Sequence, residues 1–451
     1  MAIGAFDQLE TVVKNHHVRL QVGQHPPGTH PSSPVCLANS TQPDHPIPDL
    51  RRRIWTRGRA MVLVTLALLS PISALHSAQA KRGLEAKPGS HFGTLPRPSQ
   101  AVNPSGFIKG GNISAWNITD AKKVLADAKR LGLNTLTIPV RVDMASARSS
   151  EVRVDEPSLA FARKMVKQGG AYRLIIEPYP WIADGSVPET ALDPEDKAAW
   201  FESYSKALAK IGREFPAVWG MYVASNLVKL EGESERWISL IQKQREAFQG
   251  KLIYRTQWWA TAPREPGTLA TYQAKLSNPI FGAADVIGIA SYFELSDASA
   301  PSADEIKAAL QSTTVFNRKQ NVVAEVMALQ EKWHKPIFLG ELSCPAVEYG
   351  AETPWDPLAS QAINTEIQKN YLSAYLETFP RDTRLFLGFS LFPIGHPTAT
   401  PYDLAPSAVE YIQTFKPDRT QPVFPTRIVG GRRPVASQGV PFNGMADPTN
   451  Q

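Results

Sequence analysis

The chain has 451 residues, 43% hydrophobic and 20% charged, ordinary globular proportions that exclude a wholly disordered, collagenous or polytopic membrane protein. Its formal charge of +6, from 48 basic and 42 acidic residues, is too slight an excess to point to nucleic acid. Two cysteines, Cys36 and Cys344, are too few for a disulfide scaffold or a cysteine-rich zinc site.

Residues 1–50 are rich in Pro, His and Ser and lack a periodic apolar face, so they read as a disordered extension. Residues 51–80 read as a signal peptide. Basic RRRIWTRGRA precedes the apolar run MVLVTLALLSPISAL, and Ala78 and Ala80 form the small-x-small cleavage pattern. The run is short and interrupted by proline, which argues against a membrane span. The extension does not resemble a signal n-region, which leaves the true start open. Cleavage after Ala80 removes seven basic and four acidic residues together with Cys36, leaving a net charge of +3 and Cys344 as a lone thiol. The expectation is a secreted or periplasmic monomer with no stable membrane span after cleavage.

A linker over 81–105 leads to a body over 106–415. Eight β-rich runs follow in order: FIKGGNIS (107–114), NTLTIPVRV (134–142), YRLIIEPY (172–179), VWGMYVAS (218–225), KLIYRTQWW (251–259), DVIGIASYF (285–293), KPIFLGELS (335–343) and RLFLGFSLF (384–392). Amphipathic stretches such as ITDAKKVLADAKRLG and KAAWFESYSKALAKIGREF separate them. Strands buried on both faces read as near-continuous apolar runs, and eight of them alternating with helices predict a single (β/α)8 TIM barrel. A doubly wound sheet would show a Gly-rich phosphate loop after its first strand, and GGNISAWN is no GxGxxG. The Pro/Gly/Arg-rich tail over 416–451 reads as disordered.

In such a barrel the chemistry sits where the strands end. Those ends carry Trp116, Arg141, Glu177, Trp181, Asn226, Trp258, Trp259, Tyr292, Phe293 and Glu341. Aromatic rings stack on the apolar faces of sugars, and amides and carboxylates take sugar hydroxyls. Adjacent Trp258 and Trp259 point to opposite sides, so one faces the mouth and one packs. A carboxylate closing a buried strand is costly unless paired or used, which singles out Glu341 as a catalytic candidate or as an ion-pair partner of Arg141 or Arg255. Glu177, before Pro178, is a candidate binding or proton-transfer group. Strand four ends in Asn226, an amide that hydrogen-bonds but does not protonate. Glu231 and Glu233 follow it in a loop or at the next helix start. His334 and His396 show no metal-ligand spacing, and Ser343–Cys344 lacks a nucleophile elbow, so neither metal nor cofactor is expected. NIS (112–114) and NIT (117–119) match the glycosylation pattern.

In order and spacing, IKGGNISAWN, WFESY, VASNLVKLEGESERWISLIQKQREAFQGKLIY, DVIGIASYFEL, KPIFLGELS and PWDP together resemble glycoside hydrolase family 113, over roughly residues 107–412. The resemblance implies a β-mannanase-type retaining barrel with Glu341 at the nucleophile position. It also implies a sugar cleft lined by Trp116, Trp258, Tyr292 and Phe293, with Trp355 of PWDP, Arg141 and Trp181 added as substrate-binding candidates. The family's acid/base Glu falls on Asn226, and SLF (390–392) stands where the family has a Trp-rich segment. Two readings follow. One is an exported glycosidase with Glu341 as nucleophile and a displaced acid such as Glu177 or Glu231. The other is a catalytically silent barrel that binds glycan in envelope polysaccharide handling. Either way the partner is a carbohydrate.

Overall fold

The structure, a computed structural model, describes residues 106–261, 267–313 and 320–416. The proposed extension, signal peptide, linker to residue 105 and the tail beyond residue 416 lie outside the described residues.

Eight parallel strands close into a barrel: β1 Ile108–Ile113, β2 Thr135–Met144, β3 Arg173–Ile182, β4 Gly220–Ser225, β5 Lys251–Gln257, β6 Val286–Ala290, β7 Ile337–Leu342 and β8 Phe386–Ile394. Each pairs with its sequence neighbours, and β1 pairs with both β2 and β8 to close the ring. Every run predicted as a strand is one, with ends shifted by a few residues. The strands are buried on both faces because helices cover the outside, as the apolar runs required.

Helices α1 Ala121–Arg130, α2 Glu156–Gln168, α3 Lys197–Glu214, α4 Ser234–Ala247, α5 Thr268–Leu276, α6 Ile280–Ala283, α7 Ala303–Gln311, α8 Val322–Trp333, α9 Glu366–Thr378 and α10 Pro406–Thr414 follow the strands. Their starts follow local chemistry. Asp120, Asp155, Asp196 and Asn321 each accept a backbone N–H of the first turn, satisfying a donor that the helix leaves open. Ser302 and Glu305 form a reciprocal capping box on α7. No helix among the described residues is long and apolar enough to cross a membrane.

The barrel interior is layered by the strand period of two. Ile108, Ile175, Tyr222, Ile253, Val286 and Phe338 form one buried apolar layer. Two residues further along their strands, Ile175 is followed by Glu177 and Ile253 by Arg255, so the next layer is charged. That step from apolar to ionic along the strands marks the way to the mouth.

Candidate active site at the barrel mouth

Arg255 is the centre of the charged layer. Its side chain has no solvent exposure, and its Nη2 donates to Glu177 Oε1 at 2.5 Å and lies 2.8 Å from Glu341 Oε1. The guanidinium carbon sits 4.8 Å from the centre of the Tyr222 ring. Two glycines make room for it. A Cβ on Gly288 would come within 3.1 Å of Arg255 Cβ, and one on Gly340 within 2.8 Å of Arg255 Cδ. Burial alone would weaken the guanidinium's hold on its proton; the carboxylates of Glu177 and Glu341 outweigh it and raise Arg255 above the ordinary arginine range.

Strand alternation alone would not turn both Gly340 and Glu341 inward. The register between β6 and β7 passes from Ile289↔Leu339 to Ala290↔Glu341, skipping Gly340, and the β7–β8 ladder shifts across the same residues. An irregularity of this kind re-aims the following side chain. Glu341 thus joins the interior, while Leu342 packs in the outer core. The ion pair with Arg255 anticipated for Glu341 is present, and Arg141 is not its partner.

A cavity of about 300 Å³ opens above this layer. Trp258, Trp355 and Tyr292 make an aromatic wall, while Glu341, Asn226 and Glu189 supply polar groups. Trp258 and Trp355 stack with ring centroids 5.0 Å apart, and Tyr292 meets Trp258 edge-on at 5.4 Å. Trp259 turns the other way, stacking on Tyr272 and donating its indole N–H to Glu325. The division expected for the two tryptophans holds, with Trp258 at the mouth.

Asn226 has φ of +56°, a left-handed conformation that asparagine tolerates better than most residues. Its Nδ2 donates to Glu189 Oε1 at 3.1 Å and lies 3.4 Å from Glu341 Oε2. Leu227, the next residue, is 2% exposed and belongs to the core. No carboxylate therefore stands at the end of β4.

Glu189 was not foreseen. It opens a one-turn 3-10 helix, Glu189–Ala191, in the loop between β3 and α3. Pairing of β3 with β4 stops at Ile176↔Met221, and Pro178 and Pro180 have no N–H with which to extend it. The loop then folds back through Ala183, Asp184 and Gly185, all with positive φ, and Val187 bridges to Ile182. Glu189 is returned to the mouth 8% exposed, with Tyr179 Oη donating to its Oε2 at 3.3 Å. Its one sequence signal is Pro188, an extended residue before the turn; nothing in period or strand-end position marks it.

The site is short of positive charge. One guanidinium, Arg255, faces the three buried carboxylates Glu177, Glu189 and Glu341. Burial pushes Glu341 up to about 7, the neighbouring Glu177 and Glu189 carboxylates add to this, and Arg255 and the Asn226 amide oppose it. Tyr179 and Tyr292 are held neutral well above the usual phenol range, first by burial and then by charges that include Glu341 and Glu189.

The other predicted residues are distributed as follows. Glu177 lies in a smaller cleft beside the cavity, with Trp116, His396 and one side of Glu341. Arg141 donates to the carbonyl of Ala115 and covers the Trp181 ring at 3.8 Å; Trp116 meets that ring at 4.7 Å. Arg141 and Trp181 thus brace the rim and do not line the cavity. Phe293 is a correction: it is fully buried and meets Trp259 edge-on, because it follows Tyr292 on the opposite side of the strand end. Glu231 bonds Lys275 and Thr256 at 2.5 Å each and does not line the cavity. Cys344 is buried and its thiol raised by burial alone. Both glycosylation-pattern asparagines face inward: Asn112 donates to Gly340 O and Asn117 to Gly395 O, each at 2.7 Å.

A (β/α)8 barrel whose mouth joins an aromatic wall to paired carboxylates is the architecture of a sugar-processing barrel. The sequence profile of Glycoside Hydrolase Family 113 matches residues 107–397, and the chain belongs to that family. Solved structures agree in fold. The family 113 β-mannanase of Alicyclobacillus acidocaldarius, in complex with ManMIm, is 17% identical with a TM-score of 0.53, over 68% of this chain and 96% of that one. A complex structure of a family 113 β-1,4-mannanase is 18% identical with a TM-score of 0.53, over 68% and 98%. No curated protein matches the sequence.

Proposed function

We propose that the protein is an exported retaining glycosidase acting on a β-linked polysaccharide or oligosaccharide, with Glu341 as nucleophile. The observation that carries the reading is the cavity itself: the stacked Trp258 and Trp355 and the Glu341 carboxylate line one space of about 300 Å³. A sugar ring laid against the tryptophans presents its anomeric carbon to the carboxylate. Arg255 fixes one Glu341 oxygen and leaves Oε2 on the cavity side, beside Asn226. β-Mannan is the first substrate class to test, since the similar solved structures are β-mannanases. Export rests on residues 51–80 and puts the protein in the periplasm or outside the cell.

Asn226 at the end of β4 favours a second reading, a barrel that binds glycan without cleaving it. One experiment separates the two. The mature chain is incubated with an activated fluorosugar of each common β-glycoside series, and peptides are mapped by mass spectrometry. Labelling of Glu341 together with cleavage of unactivated β-linked oligosaccharides supports the hydrolase. Sugar binding by calorimetry with no cleavage of those oligosaccharides, whether or not Glu341 is labelled, supports the silent barrel.

A further inference from the structure

We infer that Glu189, delivered by the loop after β3, is the general acid/base of this site and substitutes for the carboxylate missing from the end of β4. The inference rests on the retaining-glycosidase reading and adds the residue that reading lacks. Three observations converge on it. Glu189 and Glu341 both line the cavity, whereas Glu177 is tied to Arg255 in the layer beneath and Glu231 to Lys275 outside. The two carboxylates share one amide nitrogen, at 3.1 and 3.4 Å, so Glu189 Oε1 and Glu341 Oε2 are at most about 6.5 Å apart. Retaining enzymes hold their carboxyl pair about 5–5.5 Å apart and inverting enzymes about 6.5–9.5 Å apart. Finally, each Glu189 oxygen accepts a single protein hydrogen bond, from Asn226 or from Tyr179, leaving lone pairs that can carry a proton toward the cavity.

The chemistry balances with these groups alone. A Glu341 oxygen bonds to the anomeric carbon as the glycosidic C–O bond breaks, and the Glu189 proton passes to the departing oxygen, which leaves as an alcohol. Water then adds to the anomeric carbon. Its proton returns to Glu189, and the bond to Glu341 breaks, restoring the carboxylate. One guanidinium among three buried carboxylates leaves two negative charges unmatched, and a proton held in the site relieves one of them. Asn226 stays unprotonated and keeps the two carboxylates apart and oriented.

The test uses the mature chain and the variants Glu189→Gln, Glu189→Ala and Glu189→Asp, with thermal melts to establish folding. Each is assayed on dinitrophenyl β-glycosides and on the matching β-1,4-linked oligosaccharides. Glu189→Gln is expected to lose roughly 10²–10⁴-fold on the oligosaccharide and much less on the dinitrophenyl glycoside, whose leaving group needs no proton. Azide, which attacks without general-base help, is expected to restore turnover in Glu189→Ala and to give the β-glycosyl azide. Should both variants fail to fold, Glu189→Asp keeps the charge and is expected to show the same leaving-group pattern at smaller amplitude. Equal losses on both substrate types without an azide effect would overturn Glu189 as the acid while leaving the hydrolase standing. A native chain that binds the oligosaccharides and cleaves neither type would overturn both.

Discussion

Gly340 lies against Arg255 so closely that a single methyl group on it would sit 2.8 Å from Arg255 Cδ. The same methyl would come within 2.7 Å of the Tyr222 hydroxyl. Gly340→Ala therefore forces either the guanidinium or the β7 backbone to move. Overpacking of this kind costs about 1–3 kcal/mol, and chemical denaturation should show a loss of that size. With Glu341 as the proposed nucleophile, aimed by the bulge at Gly340, hydrolytic rate should fall more than stability predicts. A fully stable Gly340→Ala protein with unchanged rate would show that this close approach has no consequence.

Arg255 neutralises a buried layer, so its removal should be severe. Arg255→Met leaves Glu177 and Glu341 buried without their cation, a situation that costs about 3–5 kcal/mol. The double variant Arg255→Met/Glu177→Gln should recover much of the loss, since one orphaned charge is then absent. Arg255→Lys should not fully substitute, because an ammonium is more strongly hydrated, hence costlier to bury, and loses the guanidinium's contact with the Tyr222 ring at 4.8 Å. Additive losses in the double variant would contradict the coupling.

Glu341 sets a pH dependence of stability. Its carboxyl is raised from 4.5 to about 7, chiefly by burial. Between those values the folded protein holds a proton that the unfolded chain releases. The Glu341 contribution is therefore fully present below about 4.5 and is lost as pH rises through about 7. Urea titrations across this window should show the native protein weakening relative to Glu341→Gln as pH rises. A difference between the two that grows in the opposite direction would refute the assignment of a raised carboxyl.

Trp258 and Phe293 separate binding from folding. Trp258 is part-exposed in the cavity wall, so Trp258→Ala should weaken oligosaccharide affinity by about 10- to 100-fold, equivalent to about 1.5–3 kcal/mol of lost burial. Its effect on melting should be small. Phe293 is fully buried in the outer core, so Phe293→Ala should cost about 3–5 kcal/mol of stability. Sugar affinity in the surviving folded fraction should hardly change. Calorimetry and melting curves on the two variants check both statements.

The barrel was legible in the sequence because its signals are local. Eight apolar runs separated by capped amphipathic helices specify parallel strands buried on both faces, and such strands close with short connections in few ways. Asn226, Trp258 and the strand-end position of Glu341 were legible for the same reason: strand ends of a barrel lie at its mouth. The sequence likewise showed that one tryptophan of the pair must turn outward, though not which. Tertiary structure decided the rest. That Phe293 packs while Tyr292 lines the cavity depends on how β6 ends, which period alone does not tell. That Glu341 faces inward beside Arg255 depends on a bulge whose sole trace is Gly340. Glu189 became part of the site through a loop that three positive-φ residues fold back after β3. Loop closure brings together groups whose spacing in the chain carries no period, so Glu189 and Asn226, 37 residues apart, meet only in the folded protein.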